Sequence, residues 1–182
     1  MKIAFLGQMR SGKDTAAKYL INKYGGNNAK FTDPLYKIQK AVYEIVGQPE
    51  PEKDRRLLQL VGTDWGRDTI SETIWIDLLI NNLKPSENTF VTDLRFINEA
   101  KALKDVGFVI VKIIRLEKDR VTAGATNTSH RSEMEVDAIE YDYIVENISD
   151  LNHLHSELDK IVQDISSRSY TNDCHAHRSS IV

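Results

Sequence analysis

Lys2 to Leu6 is a short apolar run that stops at Gly7, and from Lys13 to Tyr24 the apolar positions take helical spacing. This predicts strand, loop and helix in that order. Gly25-Gly26-Asn27-Asn28 has turn chemistry, Ala29 to Phe31 reads as a short second strand, and Asp33-Pro34 opens another helix. Gln48-Pro49-Glu50-Pro51 breaks the pattern, after which residues 53–61 and 71–83 predict two helices joined through Gly62 and Gly66. Thr89 to Thr92 predicts a third strand, and Phe96, Ala100, Leu103 and Val106 keep helical spacing as far as Gly107. Phe108 to Ile114 is almost wholly β-branched and aromatic, the pattern of a strand covered on both faces. A polar stretch from Glu117 to Glu135 follows, then strand character at Tyr141 to Val145 and an amphipathic helix over 150–165. Such alternation predicts a doubly wound α/β sheet.

The length of 182 residues suits one α/β domain, placed at 1–166, with 167–182 losing periodicity and read as a disordered tail. Lys and Arg number 24 against 27 Asp and Glu, a net charge of -3, which argues against a nucleic-acid partner and makes any phosphate recognition local. The lone Cys174 allows no intramolecular disulfide and fits a reducing compartment. No apolar run is long enough for a signal peptide or a membrane span, so the expectation is a cytoplasmic protein without a membrane partner. Cys174, His175 and His177 lack a fourth ligand and are not read as a metal site.

Gly7-Gln8-Met9-Arg10-Ser11-Gly12-Lys13 fits G-x-x-x-x-G-K between a strand and a helix, the pattern of a phosphate-binding P-loop (Walker A). The glycines let successive backbone N–H groups turn on an anion, the helix N-terminus adds partial positive charge, and Lys13 would neutralise the β/γ-phosphates. Gly7, Arg10, Ser11, Gly12, Lys13, Asp14 and Thr15 are therefore candidate ATP-binding residues. Where the pattern expects a hydroxyl after the lysine, the chain has Asp14, with Thr15 next; either can carry Mg²⁺. Asp93-Leu94-Arg95 directly follows the third strand, at the sheet edge where ligands bind. Asp93 is a candidate for the metal or its waters and Arg95 for charge on the transferred group, with Glu99 behind them.

These residues resemble the phage-type deoxynucleoside monophosphate kinases, relatives of other P-loop nucleotide kinases. The resemblance runs from RSGKDT (10–15) through RRLLQLVGTD (55–64), TDLRFINEAKAL (92–103) and SHRSEMEVD (129–137) to DYIVEN (142–147). It implies a P-loop kinase three-layer fold, with a five-stranded parallel sheet of order 2-3-1-4-5, a helical acceptor-binding insertion over about 33–83 and a basic lid over about 116–135. On this resemblance Arg56, Gln59 and Thr63, at i, i+3 and i+7, form an acceptor-binding helix face. Asp33, Lys37 and Arg67 are weaker members of the same pocket. Arg115, Arg120 and Arg131 flank or occupy the lid, with Arg131 assigned to catalysis and Arg115 to ATP, and His130 and Glu133 ordering the segment. Asn147 resembles the turn against adenine.

The activity implied is transfer of the γ-phosphoryl of ATP, with Mg²⁺, to a dNMP, in the cytoplasm of a host if the gene is a phage's; a homodimer is left open. Two alternatives remain at this stage: a kinase for another small phosphate, such as phosphomevalonate or dephospho-coenzyme A, and a non-catalytic ATP-binding regulatory module.

Overall fold

The structure, a computed structural model, describes residues 1–115, 136, 138–148 and 150–176, with side chains as far as 168. Five parallel strands form one sheet in the order β2-β3-β1-β4-β5: β1 Lys2–Leu6, β2 Asn27–Ala29, β3 Thr89–Val91, β4 Val109–Ile114 and β5 Tyr143–Glu146. The expected strand order is therefore the observed one. Every pairing is parallel, for example Ala4 with Val91 and with Ile110. The carboxyl ends of the strands thus lie along one edge, which is where an open α/β sheet binds its ligands.

Alternation along β1 divides the core. Ala4 and Leu6 face one layer with Leu35, Trp75, Leu79, Leu103 and Phe108, whereas Ile3 and Phe5 face another with Ala17, Leu20, Leu154 and Leu158. The first layer is carried by α2 Asp33–Val46, α4 Ile74–Asn81 and α5 Ile97–Asp105; the second by α1 Lys13–Tyr24 and α6 Leu151–Ala176. Burying each large apolar side chain contributes about 1.5–3 kcal/mol, so both faces of the sheet are needed to hold it. No helix among the described residues is long and apolar enough to cross a membrane.

Three expectations change in detail. The second strand is Asn27–Ala29 rather than 29–31, because Gly25 and Gly26, at φ 71° and 110°, complete the turn by themselves. The Asn27 N–H then bonds the Asn88 carbonyl beside the start of β3. Gly62 and Gly66 do not break the chain: α3 Arg55–Gln59 runs directly into a π-helical segment, Leu60–Ile70. A Cβ on Gly66 would stand 2.4 Å from Trp75 Cζ2 and one on Gly62 3.0 Å from Leu35 Cδ1, so these glycines make room for packing. Lastly, α6 continues to Ala176, through the stretch read as a tail. Residues 167–176 hold neither Gly nor Pro, and the turn around Ser166 is tied by Ser166 Oγ to the Val162 carbonyl and by Arg168 to Asp164, 2.9 Å.

Candidate active site

The loop after β1 is shaped by close approach. Gly7 has φ +147°, and a Cβ there would lie 2.4 Å from the Ile113 carbonyl oxygen of β4; Gly12 has φ +110°, and a Cβ there would lie 2.6 Å from Asn147 Nδ2. Asn147 donates that amide to the Ser11 carbonyl at 2.9 Å, pinning the loop to the end of β5. Arg10, without glycine's freedom, sits at φ 65°. Ser11 is 2% exposed, and its Oγ is buried without a hydrogen-bond partner. Lys13, the first residue of α1, folds back so that Nζ donates to the carbonyls of Gly7 at 2.7 Å and Gln8 at 2.8 Å. Burial, followed by the nearby Arg95 charge, pulls its pKa down to about 8.

Asp14 projects from the first turn of α1. Its Oδ1 accepts from Thr92 Oγ1 at 2.8 Å and from Lys30 Nζ at 3.2 Å. Partial burial would raise this carboxyl, but those two hydrogen bonds and the Lys30 and Lys13 charges hold it below its ordinary value. Asp93, at the end of β3, turns both oxygens the other way: Oδ1 accepts from Phe31 N–H at 3.2 Å, and Oδ2 from Thr32 N–H at 3.0 Å and Thr32 Oγ1 at 2.8 Å. Burial pushes its pKa up against the pull of these bonds. Asp93 thereby fastens the strand that borders the P-loop to the chain entering α2.

Beside this junction lies a cavity of about 130 Å³ whose polar lining includes Thr32, Thr63, Arg67, Asp93 and Arg95, with Phe31, Phe96 and Trp75 as apolar walls. Glu99 organises one side of it. This carboxylate, 2% exposed, receives Arg67 Nη2 at 2.7 Å on Oε1 and the backbone N–H groups of Arg95 at 2.9 Å and Phe96 at 3.1 Å on Oε2. Arg67 also lies over the Phe96 ring, 4.4 Å from its centroid. On the other side, Trp75 Nε1 donates to the Gly62 carbonyl at 2.8 Å, a bond made where the π-helical winding departs from the α-helical ladder. The arrangement is an anion-binding loop beside an apolar-walled, cation-bearing pocket, with Asp93 and Arg95 at the seam.

The family model of deoxynucleotide monophosphate kinase matches residues 37–158. The chain belongs to that family. Among proteins similar to this deoxynucleotide monophosphate kinase family member, a putative deoxynucleotide monophosphate kinase of Acanthamoeba polyphaga mimivirus is 30% identical over 195 residues, covering 90% of this chain and 97% of the relative. The deoxynucleoside-5'-monophosphate kinase of Escherichia phage T5 is 26% identical over 129 residues, 61% of this chain and 50% of that longer protein. A shikimate kinase from Aquifex aeolicus superposes with a TM-score of 0.53 at 14% identity, over 93% of this chain and 99% of the other, and shares the fold.

Within the kinase, the residues named from the sequence separate into groups. Gly7, Arg10, Ser11, Gly12, Lys13, Asp14 and Thr15 lie on one loop and helix start, with Asn147 against them. Thr63, Arg67, Asp93 and Arg95 meet at the cavity, whereas Arg56, Gln59, Asp33 and Lys37 do not line it and are exposed. The change from α- to π-helical winding after Gln59 explains part of this, since it rotates Thr63 and Arg67 relative to Arg56. Asp33 is engaged locally, Oδ2 accepting from Lys30 N–H at 3.0 Å. Arg115 is exposed just after β4; Arg120, His130, Arg131 and Glu133 lie outside the described residues, as does the whole of the expected lid over 116–135. Sequence reading overlooked Lys30, Thr92 and Trp75. Only the position of Lys30 and Thr92 at strand ends signals them, and Trp75 reads as a core aromatic.

This family implies ATP and a magnesium ion. The loop fits the nucleotide's phosphates: Ser11 Oγ is an orphaned buried polar group, and Gly7 and Gly12 keep side chains out of the cradle. Asp14, a hard oxygen donor whose side chain is 74% exposed, fits a magnesium ion.

Proposed function

We propose that this chain transfers the γ-phosphoryl group of ATP to the phosphate of a deoxynucleoside monophosphate, giving ADP and a deoxynucleoside diphosphate. The observation that carries the reading is the adjacency of cradle and cavity: Asp93 lies among the cavity's lining and fastens the strand end beside Asp14, while the Arg95 charge acts on Lys13. Donor and acceptor phosphates held in these two places share one seam.

An oxygen of the acceptor phosphate attacks the γ-phosphorus while the bond to the β–γ bridging oxygen breaks and ADP departs. The nucleophile is already anionic at neutral pH, so no side chain has to remove a proton from it, and catalysis is positioning with charge neutralisation. Magnesium, when bound, would supply positive charge that offsets the charge on the phosphates. Asp14, with Thr15 beside it, is the proposed holder of that ion. Lys13 is proposed to exchange its two carbonyl partners for β/γ-phosphate oxygens. Arg95 and Arg67 suit the acceptor's phosphate, since guanidinium forks grip phosphate oxygens and stay charged. Asp93, with both oxygens committed to residues 31–32, is proposed to orient the seam rather than to accept a proton.

The test is an acceptor panel of dTMP, dGMP, dCMP, dAMP, the ribonucleotides and phosphomevalonate, with ATP and Mg²⁺. Conversion of at least one dNMP to its diphosphate is expected; turnover of phosphomevalonate alone would replace the acceptor assignment.

A further inference from the structure

Lys30, like Thr92, stands at the seam without a role in the sequence reading. It directly follows β2, immediately before Phe31 and Thr32 of the cavity wall, yet its ammonium reaches across to the P-loop helix and lies 3.2 Å from Asp14 Oδ1. Thr92 Oγ1, at the end of β3, donates to the same Oδ1 at 2.8 Å. Behind Thr92, Asn28 Nδ2 donates to its hydroxyl at 3.4 Å, so the ends of two adjacent strands, β2 and β3, meet α1 at one carboxylate oxygen. As a stability device the ion pair is poor: side-chain exposures of 35% for Lys30 and 74% for Asp14 leave it well solvated, and such pairs contribute little. Its location is informative instead, because the carboxylate stands where a P-loop otherwise places its metal-binding hydroxyl.

We propose that Lys30 is a positioning residue for phosphoryl transfer, the resident counter-ion of Asp14, which a divalent cation must displace or share. This rests on the reading of Asp14 as a metal holder. With Lys13 also nearby, an unneutralised Asp14 would draw that cation away from the phosphates it serves. Lys30 satisfies the carboxylate in the metal-free protein, fixes Oδ1 together with Thr92, and raises the cation concentration needed to fill the site. Because Lys30 also begins the segment that Asp93 clasps, metal occupancy on the ATP side is linked to the chain lining the acceptor cavity.

The experiment is a titration of Mn²⁺ into the full-length protein saturated with ADP, read by the loss of free Mn²⁺ signal in electron paramagnetic resonance. Removing one positive charge beside the ion in Lys30→Met should tighten Mn²⁺ by roughly fivefold, discounted from the unscreened Coulomb value for solvent exposure. Lys30→Gln should behave like Lys30→Met, and Lys30→Arg should restore the parent affinity, since the charge and not the shape is the cause. A merely structural lysine would alter the melting temperature and leave Mn²⁺ affinity where it was. Unchanged or weaker Mn²⁺ binding in both neutral variants overturns the proposal, provided that Asp14→Asn weakens Mn²⁺ in the same assay. If Asp14→Asn leaves Mn²⁺ affinity unchanged, the metal assignment of Asp14 fails first and the role of Lys30 falls with it.

Discussion

Asn147 and Gly12 are fitted to each other: the amide nitrogen that holds the Ser11 carbonyl occupies the place a side chain at Gly12 would need, 2.6 Å from its Cβ position. The phosphate loop is therefore braced from the far end of the sheet, and its shape depends on a residue distant in sequence. Gly12→Ala meets that amide and also forces a β-carbon into φ +110°. It should cost about 1–3 kcal/mol of stability and remove measurable ATP binding. Thermal melts with and without ATP check this. Asn147→Ala opens the clash but frees the Ser11 carbonyl, and a Gly12→Ala/Asn147→Ala pair should recover part of the stability while binding ATP poorly.

Lys13 sets a pH window. In the ligand-free protein burial and Arg95 bring its pKa to about 8, and phosphate oxygens in contact with the ammonium move it back up. ATP binds the protonated form better. Its affinity should hold below pH 8 and fall as pH rises above it, and binding near pH 8 to 9 should take up protons. Calorimetry in two buffers of different ionisation enthalpy measures that uptake directly; proton release on binding would contradict the assignment.

Glu99 is expected to govern the acceptor rather than ATP. Glu99→Ala strands the Arg67 guanidinium, 14% exposed, and two backbone N–H groups. Removing one partner of so buried a pair costs about 3–5 kcal/mol. Glu99→Gln keeps an acceptor without the charge and should fold, with the acceptor KM raised severalfold and the ATP KM little changed. Equal changes in both constants would place Arg67 outside acceptor binding.

Trp75→Phe keeps an aromatic wall but removes the donor to the Gly62 carbonyl. A loss of about 1 kcal/mol is expected. Hydrogen exchange should quicken across Leu60–Ile70, because the indole bond ties that segment to α4. Unchanged protection there would mean that the π-helical winding stands without the tryptophan.

Local signals made the P-loop readable. Its glycines, lysine and flanking strand and helix are contiguous from Lys2 to Tyr24, and the sheet order followed from the family they resemble. The acceptor side was less legible for a physical reason. Arg56, Gln59 and Thr63 share a face only if the helix keeps its ordinary pitch, and the π-helical winding from Leu60 onward breaks that assumption. A strand end is similarly silent. Asp93 follows β3 as a metal-binding aspartate might, and only tertiary placement shows both its oxygens bonded to residues 31–32. Lys30 and Thr92 carry no motif, and their meeting on Asp14 depends on β2, β3 and α1 coming together.

The destination of one phosphoryl group tests the central claim most directly. The protein is incubated with Mg²⁺, a dNMP and ATP radiolabelled at the γ-phosphorus, and the products are separated by anion exchange. The label should appear in a deoxynucleoside diphosphate, only when acceptor is present, and Lys13→Ala should abolish the transfer. Label recovered solely as inorganic phosphate, at the same rate with and without every dNMP, would contradict it.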